Sequence, residues 1–134
     1  KLILSYGKVF VNESGKAIAE LQKKFKLKPE EIMLIHDEAD LPFLWLKISF
    51  GKKAAGHKGV ESIKRVLKSC DFWRLRIGIQ PKKRKSAMEI ILKKLRDDEQ
   101  KLWDKSKKKF KEILEKLSET PPDKLNVSQK FFIE

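Results

Sequence analysis

The sequence is poor in the residues that staple or bind a chain together. A single cysteine, Cys70, excludes an internal disulfide framework and a metal site built of cysteines alone. No segment shows metal-ligand spacing or a nucleophile elbow, and neither an internal repeat nor a low-complexity linker is present. No apolar run approaches the roughly 18–20 residues that a membrane-spanning helix needs, so a soluble protein without a membrane span is expected. Leu2, Ile3 and Leu4 are not the start of a signal peptide, which would have a longer apolar core and a small-residue cleavage site. With Lys1 in first place rather than Met, they read as a strand entered midway, and part of the natural protein is expected upstream.

Charge is what the chain has in excess. Lys and Arg number 32 against 19 Asp and Glu, a formal net charge of +13 over 134 residues. Such a surplus points to a polyanion, either nucleic acid or an anionic membrane surface. Lys82-Lys83-Arg84-Lys85 and Lys107-Lys108-Lys109 would be solvated whatever the function, and the first also has the form of a short nuclear-import signal. Apolar residues make up 40% of the chain, enough for one core and too many for a disordered tail.

The hydrophobic pattern alternates between two periods. Leu2 to Tyr6 reads as a short strand, and Asn12-Glu13-Ser14-Gly15 leads into a helix with Ile18, Leu21 and Phe25 on its apolar face. Pro29-Glu30-Glu31 is a helical turn. Ile32 to Ile35 is apolar on both faces, as a covered strand is, and ends at His36-Asp37-Glu38, where an α/β sheet places its chemistry. Leu44 to Phe50 and Trp73 to Ile79 alternate as strands, the latter with Arg74 and Arg76 on its polar face. Between them lie a small and basic loop, Gly51 to Gly59, and a helix from about Val60 to Lys68. Beyond Pro81 the pattern predicts helix to about Leu117, with Leu102, Trp103, Phe110, Ile113, Leu114 and Leu117 as one stripe. The predicted fold is α/β: a single domain over residues 1–118, with a central mixed, parallel-rich sheet of four strands flanked by helices. Four strands are few for such a sheet, so the domain is expected to be incomplete. Residues 119–134 are expected to be a carboxyl-terminal tail or a short docking segment.

Three ordered segments carry a resemblance that composition and periodicity do not supply. They are Phe10-Val11-Asn12-Glu13-Ser14-Gly15-Lys16-Ala17, Ile35-His36-Asp37-Glu38-Ala39-Asp40-Leu41-Pro42, and Ala55-Gly56-His57-Lys58-Gly59 through Arg74-Leu75-Arg76-Ile77-Gly78-Ile79. Together they resemble bacterial-type peptidyl-tRNA hydrolase, whose pattern has a Met-Asn-x-Ser-Gly helix start, a His-Asp-Asp/Glu-x-Asp-Leu strand end, a Gly-His-Asn-Gly loop and an Arg-x-Arg-Ile-Gly-Ile strand. The resemblance spans about residues 1–118. It implies a cytoplasmic, monomeric hydrolase that frees tRNA by cleaving the ester to a stalled peptide. The partner is then the acceptor end of peptidyl-tRNA, with no metal, no cofactor and no membrane partner.

The chemistry needs a base to activate water and donors to hold the developing oxyanion. In the resembled family the base is a histidine in an amino-terminal segment near a Gly-Asn-Pro-Gly loop. This sequence contains neither, so the chain by itself is expected to be inactive or nearly so. Asp37 matches the carboxylate that orients that base, and Asn12 the amide that positions water or substrate. Asn12 also reads as a helix cap or turn residue. Arg76 matches part of a phosphate clamp; the clamp's lysine falls at Ser49, and Lys47, Lys52 or Lys53 are its possible replacements. Lys58 stands where the pattern has Asn, keeping a donor and losing an acceptor. Arg74 is either a second phosphate contact or an ordinary surface charge. His57 is placed near the site by its loop, whereas His36 is expected to face away from Asp37, because neighbours alternate along a strand. The rival reading is a non-catalytic tRNA- or RNA-binding protein on the same fold.

Overall fold

The computed structural model describes residues 2–54, 56–125 and the backbone of 128–130. Its regular elements are α1 (Ser14–Phe25), β1 (Met33–Pro42), β2 (Trp45–Phe50), α2 (Lys58–Leu67), β3 (Trp73–Gln80), α3 (Ala87–Ile91), α4 (Asp97–Glu119) and β4 (Ser128–Lys130). Short 3-10 turns cover Val11–Glu13, Pro29–Glu31 and Pro122–Lys124. The sheet order is β1-β3-β2-β4, and β4 pairs antiparallel with β2 through Trp45↔Lys130, Leu46↔Gln129 and Lys47↔Ser128. The fold class is thus the mixed α/β type that the pattern predicts. Among the described residues no helix is long and apolar enough to cross a membrane.

The strand expected over Leu2–Tyr6 is absent, and no regular structure precedes Val11 among the described residues. A strand exists only where its backbone groups find a neighbouring ladder. Here Leu4 and Tyr6 instead expose 69% and 81% of their surface. The fourth strand comes from the opposite end of the chain, at Ser128–Lys130.

The chain divides into two units, one of Lys1–Leu2, Ile35–Ile48 and Leu75–Glu134, the other of Ile3–Leu34 and Ser49–Arg74. In the second unit Ile32, Ala54, Val60, Ile63, Leu67 and Phe72 form the core, with Ile18, Leu27 and Leu34 packed on it. The apolar spacing of α1 and α2 supplies those faces, and Gly15 lets the two helices meet closely. Its N–H donates to Ser62 Oγ at 2.9 Å, and a Cβ there would stand 2.6 Å from the Ser62 carbonyl oxygen. Phe25, expected inside, is 37% exposed at the end of α1.

In the first unit β1 runs on to Pro42 rather than stopping at Ile35. A tight turn at Phe43-Leu44 then reverses the chain into β2. Leu44 adopts φ +63 while its side chain is buried, and its N–H donates to the Gly78 carbonyl oxygen at 2.9 Å. The left-handed conformation costs a leucine about 1–2 kcal/mol. Burial of the side chain and the bond to β3 offset it, and this is why β2 begins at Trp45 and not at Leu44.

The long helix expected after Pro81 is two helices. Asp97, Asp98 and Glu99 set a new start, because acids are favourable at the positive end of a helix. The Arg96 N–H donates to the Glu99 carboxylate at 2.9 Å, closing that first turn. On α4 the buried stripe contains Ser106 in place of Leu102, which is 41% exposed. Ser106 is tolerated there because its hydroxyl donates to the Trp103 carbonyl oxygen at 2.7 Å.

The shorter helix α3 is held by a capping box. Ser86 Oγ accepts from the Glu89 N–H at 3.3 Å, and the Glu89 carboxylate accepts from the Ser86 N–H at 2.8 Å. The Ser86 N–H and hydroxyl hold the Glu89 carboxyl below its ordinary pKa. A lowered folded-state pKa stabilises the helix above the unfolded glutamate value, and the effect is lost as pH falls through the folded value. Ser86→Ala at neutral pH, and acidification of the wild type, are both expected to speed hydrogen exchange of the α3 amides while leaving α4 unchanged. Equal acceleration in the two helices would contradict this.

Candidate functional site

In the second unit the loop before α2 gathers three of the expected residues. Gly56 takes φ +82, a left-handed turn open to glycine, and hands the chain to His57. His57 is the N-cap of α2, with Nδ1 accepting from the Val60 N–H at 3.3 Å. The imidazole proton therefore sits on Nε2 while the cap is intact. Lys58 opens the helix and is exposed. A cation at this positive end is unfavourable by about 0.3–1 kcal/mol, so its placement is not explained by helix stability.

The 3-10 turn bearing Asn12 lies against the same first turn of α2. A Cβ on Gly59 would stand 3.1 Å from Val11 Cγ1 and 3.2 Å from the Val11 carbonyl oxygen. Asn12, His57 and Lys58 are thus carried by adjoining elements, with Asn12 exposed at the centre of its turn. The cap of α1 is Glu13, which corrects the alternative reading of Asn12 as that cap.

Lys52 and Lys53 are exposed in the loop after β2. Arg74 is not a surface charge: it is 3% exposed, and its guanidinium donates to the Lys53 carbonyl oxygen at 3.0 Å. Burial removes it from the second phosphate contact that was one of its expected roles, and its bond steadies the lysine loop instead. Ser49, at the expected position of a clamp lysine, is also buried, at 6% exposure.

In the first unit β1 carries Asp37 between two buried residues, His36 and Glu38. The alternation puts Asp37 on the opposite side of the strand from His36, as expected. His36 Nδ1 lies 2.6 Å from the Asp37 backbone oxygen. A carbonyl oxygen only accepts, so this ring nitrogen carries the proton. Asp37 is interior to β1 rather than at its carboxyl end, because the strand continues through the pairing with β3.

The contact that sequence reasoning missed is Glu38 with Arg76. Arg76 Nε donates to Glu38 Oε2 at 2.9 Å, with the side chains only 15% and 11% exposed. Opposite charges placed on two otherwise apolar strands were the available signal, since a charge in such a setting needs a counter-ion. Glu38→Leu is expected to cost about 3 kcal/mol by leaving the guanidinium unpaired, whereas the double variant Glu38→Leu/Arg76→Met should cost less than either single one. Urea denaturation of the four proteins measures this, and additive losses would argue against the coupling. The pair consumes only Nε of Arg76.

Comparison with known proteins completes the description. A family model described as peptidyl-tRNA hydrolase matches residues 1–131. The peptidyl-tRNA hydrolase of Lactobacillus johnsonii is 41% identical over 95 residues, covering 71% of this chain and 51% of that protein. That of Aquifex aeolicus is 32% identical over 124 residues, covering 92% of this chain and 65% of the relative. Among solved structures, peptidyl-tRNA hydrolase from Acinetobacter baumannii superimposes with a TM-score of 0.62 at 30% identity, over 73% of this chain and 50% of that one. The chain spans about half the length of the first of these relatives.

Proposed function

The chain belongs to the peptidyl-tRNA hydrolase family, and from that membership we propose that it supplies the tRNA-binding and base-orienting part of an enzyme that hydrolyses the ester between a peptide and the 3′ end of tRNA. The family match across residues 1–131 is the observation that carries the proposal. In this reaction water attacks the ester carbonyl carbon, the carbonyl oxygen becomes an oxyanion, and the ribose oxygen leaves with a proton. Asp37 orients the imidazole that takes the proton from water, in the way a buried carboxylate serves hydrolytic triads. Asn12 positions water or the substrate carbonyl. Lys58, exposed at the start of α2, donates to the carbonyl oxygen or a nearby phosphate. His57 holds the end of α2 and presents Nε2–H to the substrate. Arg76 offers its two terminal nitrogens to a tRNA phosphate while Glu38 fixes its Nε. Lys52 and Lys53 take the role of the missing clamp lysine, on a loop anchored by Arg74. The protein acts as a cytoplasmic monomer in this reading and uses no metal or organic cofactor.

The buried Ser49, which offers no cation where the family clamp has lysine, favours a second reading: an RNA-binding protein on the same fold without turnover. Release of peptide from N-acylated aminoacyl-tRNA separates the two. It is measured with the chain as it stands and with the chain preceded by the amino-terminal part of the Lactobacillus johnsonii relative. Turnover by the joined protein that depends on Asp37 supports the hydrolase. Tight tRNA binding with no release by either protein supports the binder.

A further inference from the structure

The proposed chemistry leaves unused the surface around α3. Met88, Ile91 and Leu92 are 67%, 64% and 78% exposed, and Leu95 is 42% exposed. Their positions are i, i+3, i+4 and i+7, the spacing of one helical face, and the first two lie within α3 with Leu92 as its C-cap. Cations flank this face on both sides: Lys82, Lys83, Arg84 and Lys85 before it, Lys93, Lys94 and Arg96 after it. Against these seven, residues 81–96 contain one acid, Glu89.

Each candidate partner uses only part of this composition, except one. RNA takes cations at its phosphates and aromatic or guanidinium planes on its bases, and residues 81–96 contain no aromatic side chain. Exposed Met, Ile and Leu gain nothing from a phosphate backbone. A protein groove that captures an amphipathic helix reads anchors over several turns, and α3 has five residues. An anionic bilayer surface takes both halves at once, because headgroup phosphates attract the lysines while aliphatic side chains enter the boundary with the acyl chains. We infer that the segment Lys82–Arg96 is a peripheral docking surface for anionic phospholipid membranes, with Met88, Ile91 and Leu92 inserted and Lys82, Lys83, Lys85, Lys93 and Lys94 on the headgroups. The inference is independent of the hydrolase reading, and it needs no spanning helix.

Co-sedimentation of the full chain with vesicles tests it, at near-physiological salt, using phosphatidylcholine alone and phosphatidylcholine mixed with phosphatidylglycerol. Binding is expected to the mixed vesicles and not to the neutral ones. The double variant Ile91→Asp/Leu92→Asp should weaken that binding about tenfold or more, because it removes the inserted hydrocarbon. The charge reversal Lys82→Glu/Lys83→Glu/Lys94→Glu should also weaken it, while both variants keep the circular dichroism and melting temperature of the parent. No binding of the folded chain to the mixed vesicles would overturn the inference, as would binding untouched by Ile91→Asp/Leu92→Asp. A loss of tRNA affinity in that variant as large as its loss of vesicle affinity would overturn it too, by giving the surface to RNA.

Discussion

Gly78→Ala is expected to leave little folded protein. Gly78 lies in β3 with no room on its side-chain face. A Cβ there would overlap the Pro42 carbonyl oxygen and approach the Leu41 carbonyl oxygen and carbon at 2.8 and 2.9 Å. These are backbone atoms at the end of β1, so no rotamer change relieves the clash. The Gly78 carbonyl oxygen also accepts from Leu44 N–H in the turn to β2. One methyl group therefore pushes on the strand end while disturbing the turn whose strain that bond offsets. A loss of roughly 3–5 kcal/mol is expected, against a total stability on the order of 5–15 kcal/mol for a domain. Urea unfolding should show a much lower midpoint with an unchanged slope, or no folded baseline. A midpoint within experimental error of the parent would show that β1 yields at Pro42 at little cost.

Asp37→Ala should produce the largest functional loss. In the protein joined to the relative's amino-terminal part, kcat/KM for peptidyl-tRNA should fall about 10²–10⁴-fold, the range for losing a group that supports general-base catalysis. Asp37→Asn should recover little, because an amide cannot favour the imidazole tautomer with its bare nitrogen toward water. Asp37 is half-buried inside β1, so circular dichroism and the urea midpoint must accompany the kinetics. A tRNA dissociation constant close to the parent's, together with lost turnover, is the expected combination. If kcat is kept and only KM rises, Asp37 serves binding instead.

The elements differ in how legible they were. α1, α2 and β3 lie within two residues of where periodicity put them, because each buries a face whose spacing is written in the chain. The break between α3 and α4 was also written, in Asp97-Asp98-Glu99, but the apolar stripe on either side concealed it. The continuation of β1 beyond Ile35 was not legible. His36, Asp37 and Glu38 look like a strand end until Arg76 on β3 is known to neutralise Glu38. Arg74 and Arg76 look equivalent along β3, yet one anchors a loop from inside and the other keeps two nitrogens for a ligand. The motif order identified Asn12, Asp37 and Lys58 as candidates, while the adjoining of Asn12's turn with the start of α2 came only from the fold.

The sequence by itself determined the α/β class, the basic character and the family, because hydrophobic period, net charge and motif order are properties of a string. The tertiary structure alone decided which charges are free to meet a ligand. Burial and pairing depend on neighbours distant in the chain, as Glu38 with Arg76 and Arg74 with the Lys53 carbonyl show. It also decided that Leu2–Tyr6 is not a strand while Ser128–Lys130 is, since a strand is defined by the ladder beside it.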